Sequence, residues 1–484
     1  PLEDLVIDNQ ITSDDGGEGI ITLISDHDVN IAAGIGINAN GTDSQIIITA
    51  ERDINVNSTV SAGDDLGGAV IFTAGRDIRG DNLANLEVEA FSFRIEHVRH
   101  LGNASLDSPG DPDDARSAFN VMLSGSPADS LGGLTIKEAT GNVVLNTAAN
   151  TIVNEVNAAG DVYFQIDDAV AQPTLIDSIV AGGDVFLVGG GANLEGHGPG
   201  TSITADNLRM ENVLVIQGAG GDAFITDVAT LTLVDIETQA TLSNDNDLVI
   251  LAANEDIDAT LDITAQGDLT VDGAIGTTAN AIALTSGGDM IFNSSTTGLA
   301  ATITLDAGGA IVDTATAATS QINAVNLEII DADSIGASTG DDALDIAVTS
   351  LTIAGAGDTV AVSGDSYIEE ADGLTITSTV TDGGISITST TGDVILTSMA
   401  TSDDSVSVTA TTGTLTVDTV KAGTGNVTLE ATAGSILDGA DGTPIIGGLV
   451  TLTAQDGIGS TGDIETSADQ LDVSVTGTGI IVID

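Results

Sequence analysis

The sequence predicts an all-β chain wound as a right-handed parallel β-helix, a β-solenoid of about 20 coils at 21 to 24 residues per coil over its 484 residues. Three observations carry that expectation. A ten-residue phrase starts at Leu261, restarts at Ile282, Ile303 and Val325, and is found again from Ile385, Val406, Val427 and Val450, so it returns about every 21 residues. Each copy reads apolar, any, apolar, usually Thr, then Ala or Ser, a few small or polar residues and another apolar residue, which is one strand and one tight turn. Glycine is abundant at 59 residues and proline scarce at 7, as suits turns at positive φ joining strands that keep their backbone donors. Stretches such as Val406-Ser407-Val408-Thr409-Ala410 alternate with period two, and helical periodicity is hard to find. The rival all-β architecture, a string of sandwich modules, would repeat at roughly 90 to 100 residues.

Taken in order, the elements divide the chain into three parts. Ile46-Ile47-Ile48-Thr49-Ala50-Glu51-Arg52-Asp53-Ile54 matches Val70-Ile71-Phe72-Thr73-Ala74-Gly75-Arg76-Asp77-Ile78, and Ile21 to Val29 is a looser copy. Residues 1–85 therefore read as the first coils, with Asp28, Asp53 and Asp77 at one stacked turn position. Residues 86–130 break the pattern with Pro109, Pro112 and Pro127, and read as an insertion or long lateral loop. Residues 131–484 read as the main solenoid, resuming through Gly141-Asn142-Val143, Gly160-Asp161-Val162 and Gly183-Asp184-Val185 and most regular from 242 onward. The strands at 261, 282, 303 and 325 are expected in one parallel sheet, with Ile263, Leu284, Leu305 and Leu327 in one apolar row.

Charge narrows the partners. There are 73 Asp and Glu against 9 Lys and Arg, a formal net charge of −64. Nucleic acid is excluded as a partner, because phosphate neutralisation needs Lys and Arg. Acidic turns stacked coil on coil repel unless screened or bridged, so the expectation is no required cofactor but a role for Ca²⁺ at oxygen-rich turns, without a ligand set that can be named. The EF-hand spacing is absent: Asp245-Asn246-Asp247 lacks the Gly and the distal Glu. With no Cys there is neither disulfide stapling nor a thiolate metal site. No run approaches 18 apolar residues, so membrane insertion through a helix is not expected. The start at Pro1, without Met or a signal-like segment, reads as a mature or excised portion of a longer precursor.

No enzyme is expected and no catalytic residue is assigned. A polysaccharide lyase wants a basic residue beside clustered carboxylates, yet over 130–484 only Lys137, Arg209 and Lys421 are basic. Glycine runs such as Gly189 to Gly191 lack the Lys-Ser/Thr of a phosphate loop.

Ala433-Gly434-Ser435-Ile436-Leu437-Asp438, followed by Leu449 to Gly459, and the related version from Gly308-Gly309-Ala310-Ile311-Val312-Asp313 to Ser334-Ile335-Gly336 resemble the coils of filamentous-haemagglutinin-like β-helical exoproteins, giant repeat-containing surface proteins of bacteria. The resemblance implies a structural protein outside the cell or on its surface. The expected role is a subunit of a filament, sheath or surface layer assembled head to tail from copies of itself. The alternative is a stalk or passenger segment of an adhesin, with cell-surface or glycan contacts, and a carbohydrate-active β-helix enzyme stands further back. Two sets of residues are candidate interfaces. Phe91, Phe93, Arg94, His97, Arg99 and His100 form an aromatic, basic segment in a base-poor chain, suited to contact an acidic copy. Ile480, Ile481, Val482 and Ile483 form an uncapped apolar strand, suited to cover by the next subunit.

Overall fold

The computed structural model describes residues 3–13, 19–63, 67–80, 87–102, 119–123, 133–148, 151–167, 173–197, 202–217, 225, 227–254, 260–277, 281–314, 322–337, 343–354, 360–439 and 444–484. Among them there is no helix, and the strands pair in parallel, each over a strand of the preceding coil. The fold is a parallel β-solenoid of about 16 turns among the described residues, fewer than the expected 20 because coils vary in length. Phe93 pairs with Leu134, 41 positions on, and Ile335 with Ser366, 31 positions on, whereas Val406 pairs with Val427, 21 on. The chain divides into two compact units, Pro1–Asn246 and Asp247–Asp484, so the boundary falls inside the segment read as one main solenoid.

In the first unit each early coil has three strands. Leu5–Ile7, Ile11–Ser13 and Ile20–Ser25 make the first coil. Val29–Ile31, Ile37–Ala39 and Gln45–Ala50 lie in register over them. Ile21, Ile46 and Val70 share one column, as the sequence repeat requires. Alternation does the sorting. In Gln45–Ala50 every second residue is buried, which puts Ile46, Ile48 and Ala50 inside and Gln45, Ile47 and Thr49 outside. Fully burying one such Ile contributes on the order of 1.5–3 kcal/mol, and stacking secures it because each coil covers the last.

The segment read as an insertion is solenoid over much of its described part. Val88–Ala90 lies between Val60–Ala62 and Phe119–Leu123, and Ser92–His97 lies between Ala69–Ala74 and Gly133–Ala139. Residues 103–118 and 124–132, with all three prolines of that segment, lie outside the described residues.

In the second unit the repeated phrase stacks as predicted within each run. Leu261 pairs with Ile282 and Ile282 with Ile303; Ile385 pairs with Val406, Val406 with Val427 and Val427 with Val450. One row needs correction. Ile263, Leu284 and Leu305 do form an apolar row, but Leu305 pairs with Ile329 while Leu327 pairs with Ile303. An irregularity between Gly298 and Thr302 advances the register by two, leaving Val325 as an exposed corner residue. An even shift preserves the inside–outside parity, so Leu327 and Ile329 are both fully buried. At the turns the coils approach closely: a Cβ on Gly413 would stand 1.6 Å from the carbonyl oxygen of Gly392, which leaves glycine as the only residue that fits.

Candidate functional site

Two features of the described surface depart from plain coil stacking, an Asp-rich turn column and the open terminal coil. The turn column begins with His27-Asp28, Arg52-Asp53 and Arg76-Asp77, each just before a strand. The Asp28 carboxylate accepts the amide N–H of Asp53 at 3.1 Å, and Asp53 in turn accepts that of Asp77 at 3.1 Å. Each carboxylate thus satisfies a backbone donor one coil ahead. Farther along, Asn142 Oδ1 takes the N–H of Asp161 and Asp161 takes that of Asp184, both at 3.0 Å. The second unit repeats the device: Asp247 to the N–H of Asp268, Asp268 to Asp289 and Asp289 to Ala310, at 2.9, 2.8 and 2.8 Å. The acidic composition has a structural use here, because Asp is the shortest side chain that can present an ionised acceptor to the next coil.

The first unit adds cations to this column. Arg76 clamps Asp53 through two nitrogens, and Arg99 binds both oxygens of Asp77 at 2.9 Å while Arg79 also reaches Asp77. Asp77 is 1% exposed. Burial works against its charge, but the Arg99 hydrogen bonds and the charges of Arg79, Arg99 and His100 outweigh it and hold the carboxyl below its usual range. At the start of the column Asp4 contacts His27 at 2.6 Å, and Arg52 contacts both His27 and Asp28. Asp4, His27 and Asp28 are the one group among the described residues close enough to share a metal ion, and Arg52 already supplies a positive charge there.

This geometry redistributes the first candidate interface. Phe93 is fully buried and Phe91 nearly so; Phe93 stacks on Phe119 at 5.9 Å and meets Phe72 edge-on at 5.3 Å. The aromatic half of the expected contact patch is therefore core, because the alternation Phe91-Ser92-Phe93-Arg94-Ile95 turns its apolar members inward. The basic half is on the surface but engaged within the chain. Arg94 pairs with Glu96, His97 contacts Glu138 at 3.1 Å, Arg99 holds Asp77, and His100 accepts the N–H of Asn142 at 3.0 Å. The Arg99–Asp77 pairing had a sequence signal in the repeated basic residue before each stacked turn, at Arg52, Arg76 and Arg99.

The second candidate set lies together. The last coil carries Thr466–Val475 and the bridging residues Ile481 and Ile483, hydrogen-bonded to the coil before it. Leu471 and Ile481 occupy the columns of Val450 and Ile458, which are 0% exposed, yet they are 45% and 49% exposed. Ile480 and Val482 are exposed beside them, and Ile483 is half-buried. Among the described residues no side chain covers these apolar groups on the outer side, and the strands there pair with the preceding coil.

No protein-family model, curated protein or solved structure matches the chain. Of the resemblance to β-helical exoproteins, the architecture of stacked parallel coils is what the chain shares. No helix of the described residues is long and apolar enough to cross a membrane.

Proposed function

We propose that the chain is a non-enzymatic structural solenoid that assembles head to tail with copies of itself, as a subunit of a filament, sheath or surface layer outside the cell or on its surface. The observation that carries this reading is the apolar face of the last coil, where Leu471 and Ile481 are 45% and 49% exposed in the columns of Val450 and Ile458, which are fully buried. A parallel strand edge accepts another parallel strand, and a coil of matching width would bury this face while pairing its backbone. A second copy fits that requirement, since among the described residues its first-coil strands Leu5–Ile7, Ile11–Ser13 and Ile20–Ser25 pair only with the coil that follows. Such a heterologous contact does not close on itself and gives an open polymer. Placement outside the cell is supported by the resemblance to β-helical exoproteins.

Sedimentation velocity and negative-stain microscopy of the purified chain test this reading. The unaltered chain is expected to form linear polymers, and Ile481→Asp with Ile483→Asp to remain a folded monomer with unchanged circular dichroism. An unaltered chain that stays monomeric across the concentration range overturns the reading.

A further inference from the structure

The geometry points to a sugar-binding subsite on the second unit, built around Tyr367, that takes one pyranose ring of a neutral or basic glycan. Tyr367 stands in the outward row of Ser366–Glu370, half-buried between inward-facing Ser366 and Ile368. The residue over it in the next coil is Ser386, and the one over that is Ser407. A large ring followed by two serines leaves a hollow beside the ring. Its volume is about 280 Å³, and it is lined by Tyr367, Ser386 and Ser407 on the strand side and by Asp365, Gly384 and Asp404 on the turn side. That is near the lower end of small-ligand sites, about 300–1,000 Å³, and suits a single ring rather than an extended chain.

The lining matches what a pyranose presents. One side of such a ring carries C–H groups that settle on an aromatic face, while its edge carries hydroxyls that need acceptors and donors. Tyr367 supplies an aromatic wall with a polar tip. Asp365 is held in place: the N–H of Gly384 donates to its Oδ1 at 2.8 Å, and the Tyr367 hydroxyl lies 3.4 Å from its Oδ2. A Cβ on Gly384 would crowd that carboxylate at 3.3 Å. Asp404 and the hydroxyls of Ser386, Ser405 and Ser407 complete a polar rim. Two carboxylates on a chain of net charge −64 disfavour uronates and sulfated sugars and favour uncharged or amine-bearing ones. The inference is independent of head-to-tail assembly, since none of these residues lies in the first or last coil.

The chain supplies its own reporter. It has no Trp and two Tyr, and Tyr163 is buried, so a ligand-dependent change in tyrosine emission reads Tyr367. The probes are cellotetraose, a glucosamine tetramer and a galacturonate tetramer, titrated by calorimetry and by tyrosine fluorescence. Saturable binding of cellotetraose or of the glucosamine tetramer is expected, with none of galacturonate. Tyr367→Ala should weaken it about tenfold or more, Tyr367→Phe should keep calorimetric affinity within about threefold, and Ser386→Gln, which fills the hollow from the neighbouring coil, should abolish it. Melting curves establish that each variant is folded. Absence of saturable binding, or binding unchanged in both Tyr367→Ala and Ser386→Gln as for attraction to the acidic surface in general, overturns the inference.

Discussion

Buried carboxyls in this chain fall into two kinds, according to what stands beside them. Asp77 has Arg79 and Arg99, so its charge is retained; Glu87 and Glu370 are each 1% exposed and have backbone N–H donors but no cation among the groups that shift them. Burial pushes Glu370 up to about 8 and Glu87 to about 7, against an ordinary value of 4.5. A carboxyl raised on folding holds its proton in the native state after the unfolded chain has released it. Its contribution is therefore present below about pH 4.5 and is lost as pH rises toward 7 and 8. Asp77 works the other way, contributing above its unfolded value near 3.8 and fading as pH falls through its lower folded value. Stability is expected to peak in mildly acid solution, and Glu370→Gln should flatten the decline between pH 5 and 8, recovering up to about 3 kcal/mol at the alkaline side. Denaturant melts at several pH values check this; an equal slope in wild type and variant would reassign the pH dependence to other carboxyls. The two arginines of the basic segment should also part company. Arg99→Glu sets a negative charge against buried Asp77 and should clearly lower the melting temperature, whereas Arg94→Glu, facing half-exposed Glu96, should leave it nearly unchanged.

At the level of one strand, alternation and stacking act together. Ile263 is fully buried, registered over Leu284, and both belong to a row continued by Leu305 and Ile329. An Asp at 263 would bury an unpaired charge between coils, and Ile263→Asp is expected to open the neighbouring coils, with loss of hydrogen-exchange protection centred on 260–307. Protection lost evenly along the second unit would instead mean that the coils unfold as one cooperative block. Where acid meets acid in a strand, the arrangement carries a cost. Asp306 lies in register with Asp331, and its carboxyl is raised by burial first and by that neighbour second. Turn carboxylates escape this cost by accepting the next coil's N–H, as Asp393 does from Thr414 and Asp403 from Thr424, both at 2.8 Å.

Across the whole molecule the distribution of cations sets the response to salt. All seven arginines lie in the first unit, while the second unit has Lys421 as its one Lys or Arg side chain. The stacked carboxylates at 268 and 289 therefore have no arginine in their own unit to clamp them. Screening over a Debye length of about 8 Å at physiological ionic strength relieves repulsion between exposed turns. The melting temperature is expected to rise with added salt or Ca²⁺, and hydrogen exchange to slow more in 247–484 than in 1–246. Chelation at fixed ionic strength separates a bound Ca²⁺ from general screening: a melting temperature unmoved by chelator removes the Ca²⁺ role and leaves the screening.

The sequence by itself determined the parallel solenoid, the alternation inside each strand, the columns Ile21–Ile46–Val70 and Ile385–Val406–Val427–Val450, and the stacking of Asp28, Asp53 and Asp77. These follow from local pattern and from equal intervals, which any reader of the repeat can count. The inward turn of Phe91 and Phe93 is legible in the same alternation, while their basic neighbours Arg94 and Arg99 lie on the surface. Tertiary structure alone decided which columns the repeats occupy. The run from Leu261 continues through Leu351, Ile376 and Leu396, whereas the run from Ile385 extends a different column that passes Leu248, Leu269, Met290, Ile311, Ile335 and Ser366. Every face of a coil needs the same apolar alternation, so the phrase identifies a strand without saying which face it lies on. Corner lengths set that, and they also set the two-residue advance at Leu327 and the placing of Ser386 beside Tyr367 that opens the hollow. Such placements depend on residues a full coil apart, and no local pattern encodes them.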